Sequence, residues 1–533
     1  MNNFDIVLKN AKIVDGTGSP WYYADIAVKG DAIALIGKIN DTGTAKVIDA
    51  NGFIVSPGFI DMHSHSDLFV MESGFVSAKV RQGITTELLG QDGISAAPLP
   101  QEFIGRWQDN LSGLDGMPDI EWDWDNVDSY LTKIQIAQPA SNYAYLAPHG
   151  NLRMQVVGLD NRTATAEEIE EMTRLLRDAL DQGACGLSSG LIYLPCMYGD
   201  YAEIEALCEV AAEYGVPFIV HQRSEGDEIL ESMDELLVIA ERTGVHLHFS
   251  HFKVCGRLNW HKTPEVLAKL DQAREQGIEV TFDQYPYTAG STMLSATLPP
   301  WAHEGGAAKL MERLQEPKLR EKMAADMRTG FAGWDSMYAW AGPDGILITS
   351  VESENNKSCV GRTLQQITEA RGCTDPIETA LDLILEEHNA VGMVDFVMDD
   401  ASVAMIMQHP AGTICTDGLL GGQPHPRAFG SFPRVLGKYT REEKLFTLEE
   451  SIRRMTSQPA RIIGFTDRGT IREGMKADMV VFDEARIKDT ATYENPRSYS
   501  EGIALVMVNG KVVVDGNAEH RLPSGKVLRR SYF

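Results

Sequence analysis

Residues 53–67 read Phe53-Ile54-Val55-Ser56-Pro57-Gly58-Phe59-Ile60-Asp61-Met62-His63-Ser64-His65-Ser66-Asp67. A β-branched apolar run crosses a Pro-Gly break into Phe59-Ile60 and ends in two histidines two residues apart. This predicts a short buried strand. Residues i and i+2 of a strand point to one face, so both imidazoles leave its C-terminal end together. Paired imidazoles suit several transition metals, zinc among them. An isolated His-x-His is as often an ordinary core or surface pair; this one gains weight because later apolar runs also end in His or Asp.

Those runs occupy 83–93, 143–150, 185–190, 216–221, 246–251, 279–283 and 412–417, making eight candidate strands with the first. Helical patterns fall between several of them. The clearest, 166–177, opens acidic and turns basic, as the helix dipole favours. Such alternation predicts an α/β fold with a parallel sheet and helices outside. Eight units predict a (β/α)8 barrel over 56–466, with its chemistry at the C-terminal ends of the strands. Short strands with tight polar turns at 1–55 and 467–533 are expected to form one small β-sandwich from both chain ends. The gap between strands seven and eight is too long for one crossover, so residues 292–350 are expected to form an inserted, lid-like subdomain.

The chain has 533 residues and a formal charge of −28, which argues against nucleic acid or an anionic membrane as partner. The start of the sequence lacks a basic-then-apolar signal pattern, and no apolar stretch is long enough to span a bilayer. Seven scattered cysteines without a Cys-x-x-Cys give neither a disulfide framework nor a cysteine zinc cage. A cytoplasmic enzyme with a small-molecule substrate is expected, with homo-oligomerisation left open. Set side by side, the strand ends offer His63, His65, Asp92, His221, His251 and Asp417. Four imidazoles and two carboxylates suit zinc, and allow two ions about 3.5–4 Å apart.

The chain resembles the amidohydrolase superfamily over essentially its whole length, and within it the N-acyl-D-amino-acid deacylases, or D-aminoacylases. The motifs that carry the likeness lie at 57–67, Gly186-Leu187-Ser188-Ser189-Gly190-Leu191-Ile192-Tyr193, Ser250-His251-Phe252-Lys253, Tyr285-Pro286-Tyr287 through Thr292, Thr416-Asp417-Gly418, and His425-Pro426-Arg427 through Arg434. The resemblance implies a metal-bearing (β/α)8 barrel with a small β domain and an insertion after strand seven. It makes His221 and His251 ligands of a tightly held zinc. His63, His65 and Asp417 become ligands or orienters at a second, weaker metal position, with Asp417 also the catalytic general acid/base. Lys253 supplies a point charge and Arg427 a planar fork for a substrate carboxylate; Tyr285 and Ser291 match positions that hydrogen-bond substrate. His149 is given only a supporting role.

One departure stands out. Where the deacylases place a cysteine ligand, this chain has Gln91-Asp92-Gly93, and a carboxylate is a harder ligand than a thiolate. No lysine ends strand four, so a carbamylated bridging lysine is not expected. The implied activity is zinc-dependent hydrolysis of N-acyl-D-amino acids to a carboxylate and a free D-amino acid. Cyclic-amide hydrolysis, as in hydantoinases and dihydroorotases, is the nearest rival within enzymes, and a non-catalytic oligomeric scaffold the rival outside them. The 285–292 and 425–434 motifs favour the linear amide, and retention of four histidines with Asp417 argues against the scaffold.

Overall fold

A computed structural model describes residues 4–115 and 118–530. The first and last three residues, part of the expected β domain, lie outside the described residues. Eight parallel strands carry the catalytic half: β1 (Phe59–Asp61), β2 (Ile84–Leu89), β3 (Asn142–Tyr145), β4 (Leu187–Gly190), β5 (Phe218–His221), β6 (Leu247–Phe249), β7 (Val280–Gln284) and β8 (Gly412–Ile414). β1, β2 and β3 form one sheet; β4 to β8 form another, whose outer strand is Ala147–Pro148. Only Leu146 separates β3 from that outer strand, so one run of chain serves both sheets. At the remaining edges Ser64 bridges Gly418 in parallel, and the Asp417 amide donates to the His63 carbonyl at 2.8 Å.

The strands are buried on both faces because both are covered. In β5, Phe218 and Val220 pack outward among helix residues such as Leu176 and Leu236, while Ile219 packs inward with Leu146 and Ile414. The helix Ala166–Asp181 shows how the crossovers form. Thr165 and Glu168 make a reciprocal capping box, and Met172, Leu176, Ala179 and Leu180 supply one buried face.

The chain ends meet in a nine-stranded sheet, in which Ile54–Pro57 pairs antiparallel with Met479–Phe482. Between β7 and β8 lies a three-stranded antiparallel sheet of Gly290–Met293, Gly392–Asp395 and Ile346–Ser350, with Gly392–Asp395 in the middle. Its buried cluster runs from Leu294 to Met393, well past the expected limit at 350. The middle strand is contributed last, so the unit cannot close before it. All seven cysteines are free, and six are buried. Among the described residues no helix is long and apolar enough to cross a membrane.

Candidate metal and substrate site

The C-terminal ends of the parallel strands gather six titratable side chains into one buried cluster. His221 stands two residues beyond the inward-facing Ile219 and shares its face. His63 and His65 follow β1 directly, and their Nε2 atoms converge to 3.3 Å. The other three residues arrive by a different route. Asp92, His251 and Asp417 have φ values of 56°, 36° and 47°, in the left-handed region that non-glycine residues seldom enter. Strain of this kind concentrates at functional sites, and here it turns each side chain inward just past its strand.

Asp92 sits between two imidazole pairs. Its Oδ2 lies 3.5 Å from both His63 Nε2 and His65 Nε2, and its Oδ1 lies 3.5 Å from His251 Nε2 and 3.9 Å from His221 Nδ1. His221 Nδ1 and His251 Nε2 are 2.9 Å apart. Asp417 Oδ1 faces His65 Nε2 at 3.4 Å and His63 Nε2 at 3.7 Å, while its Oδ2 forms an ion pair with Arg427 at 2.9 Å. Burial would raise both carboxyls, yet His63 holds Asp92, and Arg427 with His63 holds Asp417, well below the usual carboxylate range. Burial pushes the His221 imidazole down to about 4, so it is neutral and free to act as a ligand at pH 7.

The donor set fits zinc. Ligands about 2.0–2.2 Å from a tetrahedral ion stand roughly 3.3–3.6 Å from one another, close to the spacing in His63–His65–Asp92. Three overlapping groups qualify: His63, His65 and Asp92; Asp92, His221 and His251; and His63, His251 and Asp417, with donor atoms within 4.8 Å of one another. Asp92 Oδ1 and His221 Nε2 are buried and have no hydrogen-bond partner among the described residues. Buried polar atoms left without partners in a dry interior are costly unless a cation or another partner joins them.

Several carboxylates hold these ligands from behind. Asp283 Oδ1 accepts from the His251 amide at 2.7 Å and its Oδ2 pairs with His248 at 2.9 Å. Glu225 Oε1 lies 3.1 Å from His251 Nδ1, and its Oε2 lies 3.6 Å from His221 Nε2. Sequence reasoning missed Glu225 and passed over Asp283. The spacing of Glu225, four residues after His221, and the place of Asp283 at the end of β7 were the signals available.

The expected substrate residues surround one cavity. Lys253 was expected on the same face as His251 if the strand continued, but β6 ends at Phe249 and the turn at His251 re-aims the chain. Lys253 Nζ instead donates to Glu225 at 2.5 Å and lies 2.6 Å from His251 Nδ1. Arg427 is 1 % exposed, spans Asp417 and the Ser291 carbonyl, and keeps its Nε without a partner among the described residues. Tyr285 lies under Arg427, ring centre to guanidinium 4.4 Å, with its hydroxyl likewise unpartnered. Ser291 borders the cavity, but its hydroxyl donates to the Met393 carbonyl at 2.9 Å. His149 stands apart from the cluster, between Ser189 at 2.9 Å and Glu203 at 2.6 Å, where it ties strand to helix.

Residues 46–349 and 360–514 match the model of the family described as the amidohydrolase family. The chain is 35% identical to N-acyl-D-glutamate deacylase of Alcaligenes xylosoxydans xylosoxydans, over 99% of this chain and 96% of the relative. It is 32% identical to D-aminoacylase of the same organism, over 99% and 98%. Among solved structures, N-acyl-D-glutamate deacylase from Bordetella bronchiseptica, complexed with zinc and a phosphonate mimic of the tetrahedral intermediate, superposes with a TM-score of 0.84. That pair is 36% identical over 99% of this chain and 100% of the other.

Proposed function

The chain belongs to the amidohydrolase family, and from that premise we propose that it is a zinc-dependent deacylase that cleaves N-acyl-D-amino acids to a carboxylate and a free D-amino acid. The observation that carries the reading is the Asp92 carboxylate between two imidazole pairs, beside an Asp417–Arg427 pair. The full-length similarity to deacylases of N-acyl-D-amino acids supplies the substrate class.

The same reading takes the two parallel sheets as one distorted (β/α)8 barrel; its support is the shared β3 track and the Ser64–Gly418 bridge at the free edges. It takes 1–55 with 467–533 as a single β domain, supported by the paired chain ends and a common core that includes Leu8, Ile26, Val481 and Met507. The insertion would then run from about 290 to 395, the span of its own three-stranded sheet.

His221, His251 and Asp92 would hold one zinc, and His63, His65 and Asp92 a second. When bound, zinc supplies Lewis acidity and a water acidic enough to ionise near neutral pH. Asp417 takes a proton at Oδ1 and returns it to the departing amine, while Arg427 on Oδ2 keeps the carboxylate oriented throughout. Arg427 offers its free Nε to the substrate α-carboxylate. Tyr285, whose ring lies against the same guanidinium, carries an unpartnered hydroxyl that could also meet the substrate.

Zinc content by mass spectrometry, paired with amine release from N-acetyl-D- and N-acetyl-L-amino acid mixtures, tests the proposal. Bound zinc with D-selective release is expected. Zinc with no release, or with release from L-substrates alone, would overturn it.

A further inference from the structure

We infer that the side-chain subsite of this cavity takes an uncharged, apolar D-amino-acid side chain and rejects an acidic one, with Asp395 and Trp340 as its specificity-determining residues. The inference rests on the deacylase reading above. Of the relatives named above, one name specifies glutamate and the other no side chain, so similarity alone does not choose.

The charge inventory of the cavity carries the argument. Among the described residues that line it, the lysine and arginine side chains are Lys253 and Arg427. Lys253 is neutralised by Glu225 at 2.5 Å, and Arg427 by Asp417 at 2.9 Å, with one nitrogen of Arg427 left for the α-carboxylate. No lysine or arginine is left there to meet a second carboxylate.

A further anion waits instead. Asp395 lies at the end of the middle strand of the insertion, opposite Gly290, and is 5 % exposed on the cavity wall. A methyl group at Gly290 would come within 2.5 Å of its Oδ1, so the absent side chain there makes room for the carboxylate. Apart from its own backbone, none of the described residues hydrogen-bonds to it. Burial pushes its carboxyl up to about 6, which still leaves it mostly ionised at pH 7.5. A substrate carboxylate near Asp395 would be a like charge in a poorly solvated space.

One side of the wall is apolar. The helix Met337–Ala341 of the insertion carries Trp340 and Met337 over the cavity, facing Leu114 and Val397. Trp340 rests on Gly226 and Gly256, where a Cβ would come within 2.4 and 2.8 Å of its ring, and its indole N–H donates to Asp227 at 3.1 Å. Asp335, just before this helix, accepts from the Glu225 amide at 2.9 Å and so ties the insertion to the loop after β5. An indole fixed this way offers contact area without a charge.

The test compares kcat/KM of the zinc-loaded protein for N-acetyl-D-methionine, N-acetyl-D-glutamine and N-acetyl-D-glutamate; the last two differ in charge but hardly in shape. Binding of the same three compounds to zinc-loaded Asp417→Asn protein is measured by calorimetry. We expect methionine first, and glutamine over glutamate by roughly tenfold or more. Asp395→Asn should narrow the glutamine-to-glutamate ratio by about as much, and Trp340→Ala should raise KM for the methionine substrate more than it lowers kcat. Glutamate turned over as fast as glutamine overturns the inference while leaving the deacylase reading intact. An unchanged ratio in Asp395→Asn removes that residue from the role. Ordered binding without turnover by the wild type overturns the deacylase reading alone, and absence of both overturns the two together.

Discussion

Two buried charged clusters lie back to back at the end of β1. One is the histidine and aspartate group at the strand ends. The other joins Lys79, Asp61, Ser64 and Thr416, all fully buried beneath it. In the second cluster Lys79 and Asp61 have met their partners: Lys79 Nζ donates to Asp61 at 2.8 Å, Ser64 at 2.9 Å and Thr416 at 2.5 Å, and Thr416 donates to Asp61 through both its amide and its hydroxyl, while the neighbouring Glu87 accepts from Ser64 at 2.6 Å and keeps one oxygen unpartnered among the described residues. In the first, four imidazoles and two carboxylates crowd together and Asp92 Oδ1, His63 Nδ1 and His221 Nε2 are left without partners among the described residues. Equal burial therefore does not mean equal purpose. A network built on paired charges fixes the chain, whereas convergent imidazoles and carboxylates with unpartnered atoms suit a cation. The paired cluster also joins the His63–His65 segment to the Asp417 turn, so the rigid layer positions the incomplete one.

The contrast breaks most sharply at His221. Replacing it with Ala removes one donor from the incomplete cluster; zinc content should drop, and turnover should fall roughly 10³-fold, the scale of losing transition-state charge stabilisation. Far-UV circular dichroism should stay unchanged, and a metal-replete variant with wild-type turnover would break the distinction. Lys79→Met attacks the paired cluster. It strands Asp61 in the interior and should cost about 3–5 kcal/mol in urea unfolding. A stability within error of wild type would show that the network is not a structural layer.

The smallest effect sharpens the comparison from the solvent side. Asp31 in the terminal sheet accepts from Lys476 at 2.9 Å and Lys526 at 3.0 Å, which lowers its carboxyl to about 2. A folded value below the unfolded one means stabilisation that is present above about pH 4 and is lost as pH falls through the folded value. The site is largely solvated, so Asp31→Asn should cost less than about 1 kcal/mol at pH 7, and less still in 0.5 M salt. A salt-insensitive loss above 2 kcal/mol would mean that this surface trio behaves like the buried network.

Much of the site could be read from local patterns. The i, i+2 histidines, the inward face of β5 and the capped helix after residue 165 all follow from periodicities of 2 and 3.6 in neighbouring residues. The route of His251 and Lys253 could not be read so easily. A strand continued through Phe249 puts Lys253 beside His251 and free for substrate, but the left-handed turn at His251 delivers Lys253 to Glu225 instead. Nothing local marks that turn, because a positive φ at a histidine is tolerated only where surrounding contacts over-determine it. The end of the insertion was hidden for a related reason: its middle strand comes last, so its partners lie far back in the chain.

Residue order alone thus dictates which side chains stand at strand ends, the alternation of strand and helix, and a metal-binding chemistry rich in imidazole. Those are short-range consequences of side-chain direction and of apolar runs that must be buried. Three-dimensional packing decides the rest: that one Asp92 carboxylate lies between two histidine pairs, that Glu225 and Asp417 neutralise the cations of the cavity, and that Asp395 meets Trp340 across it. Each of these joins residues from separate strands or from the insertion, and electrostatic and contact energies depend on distance in space, which spacing along the chain does not encode.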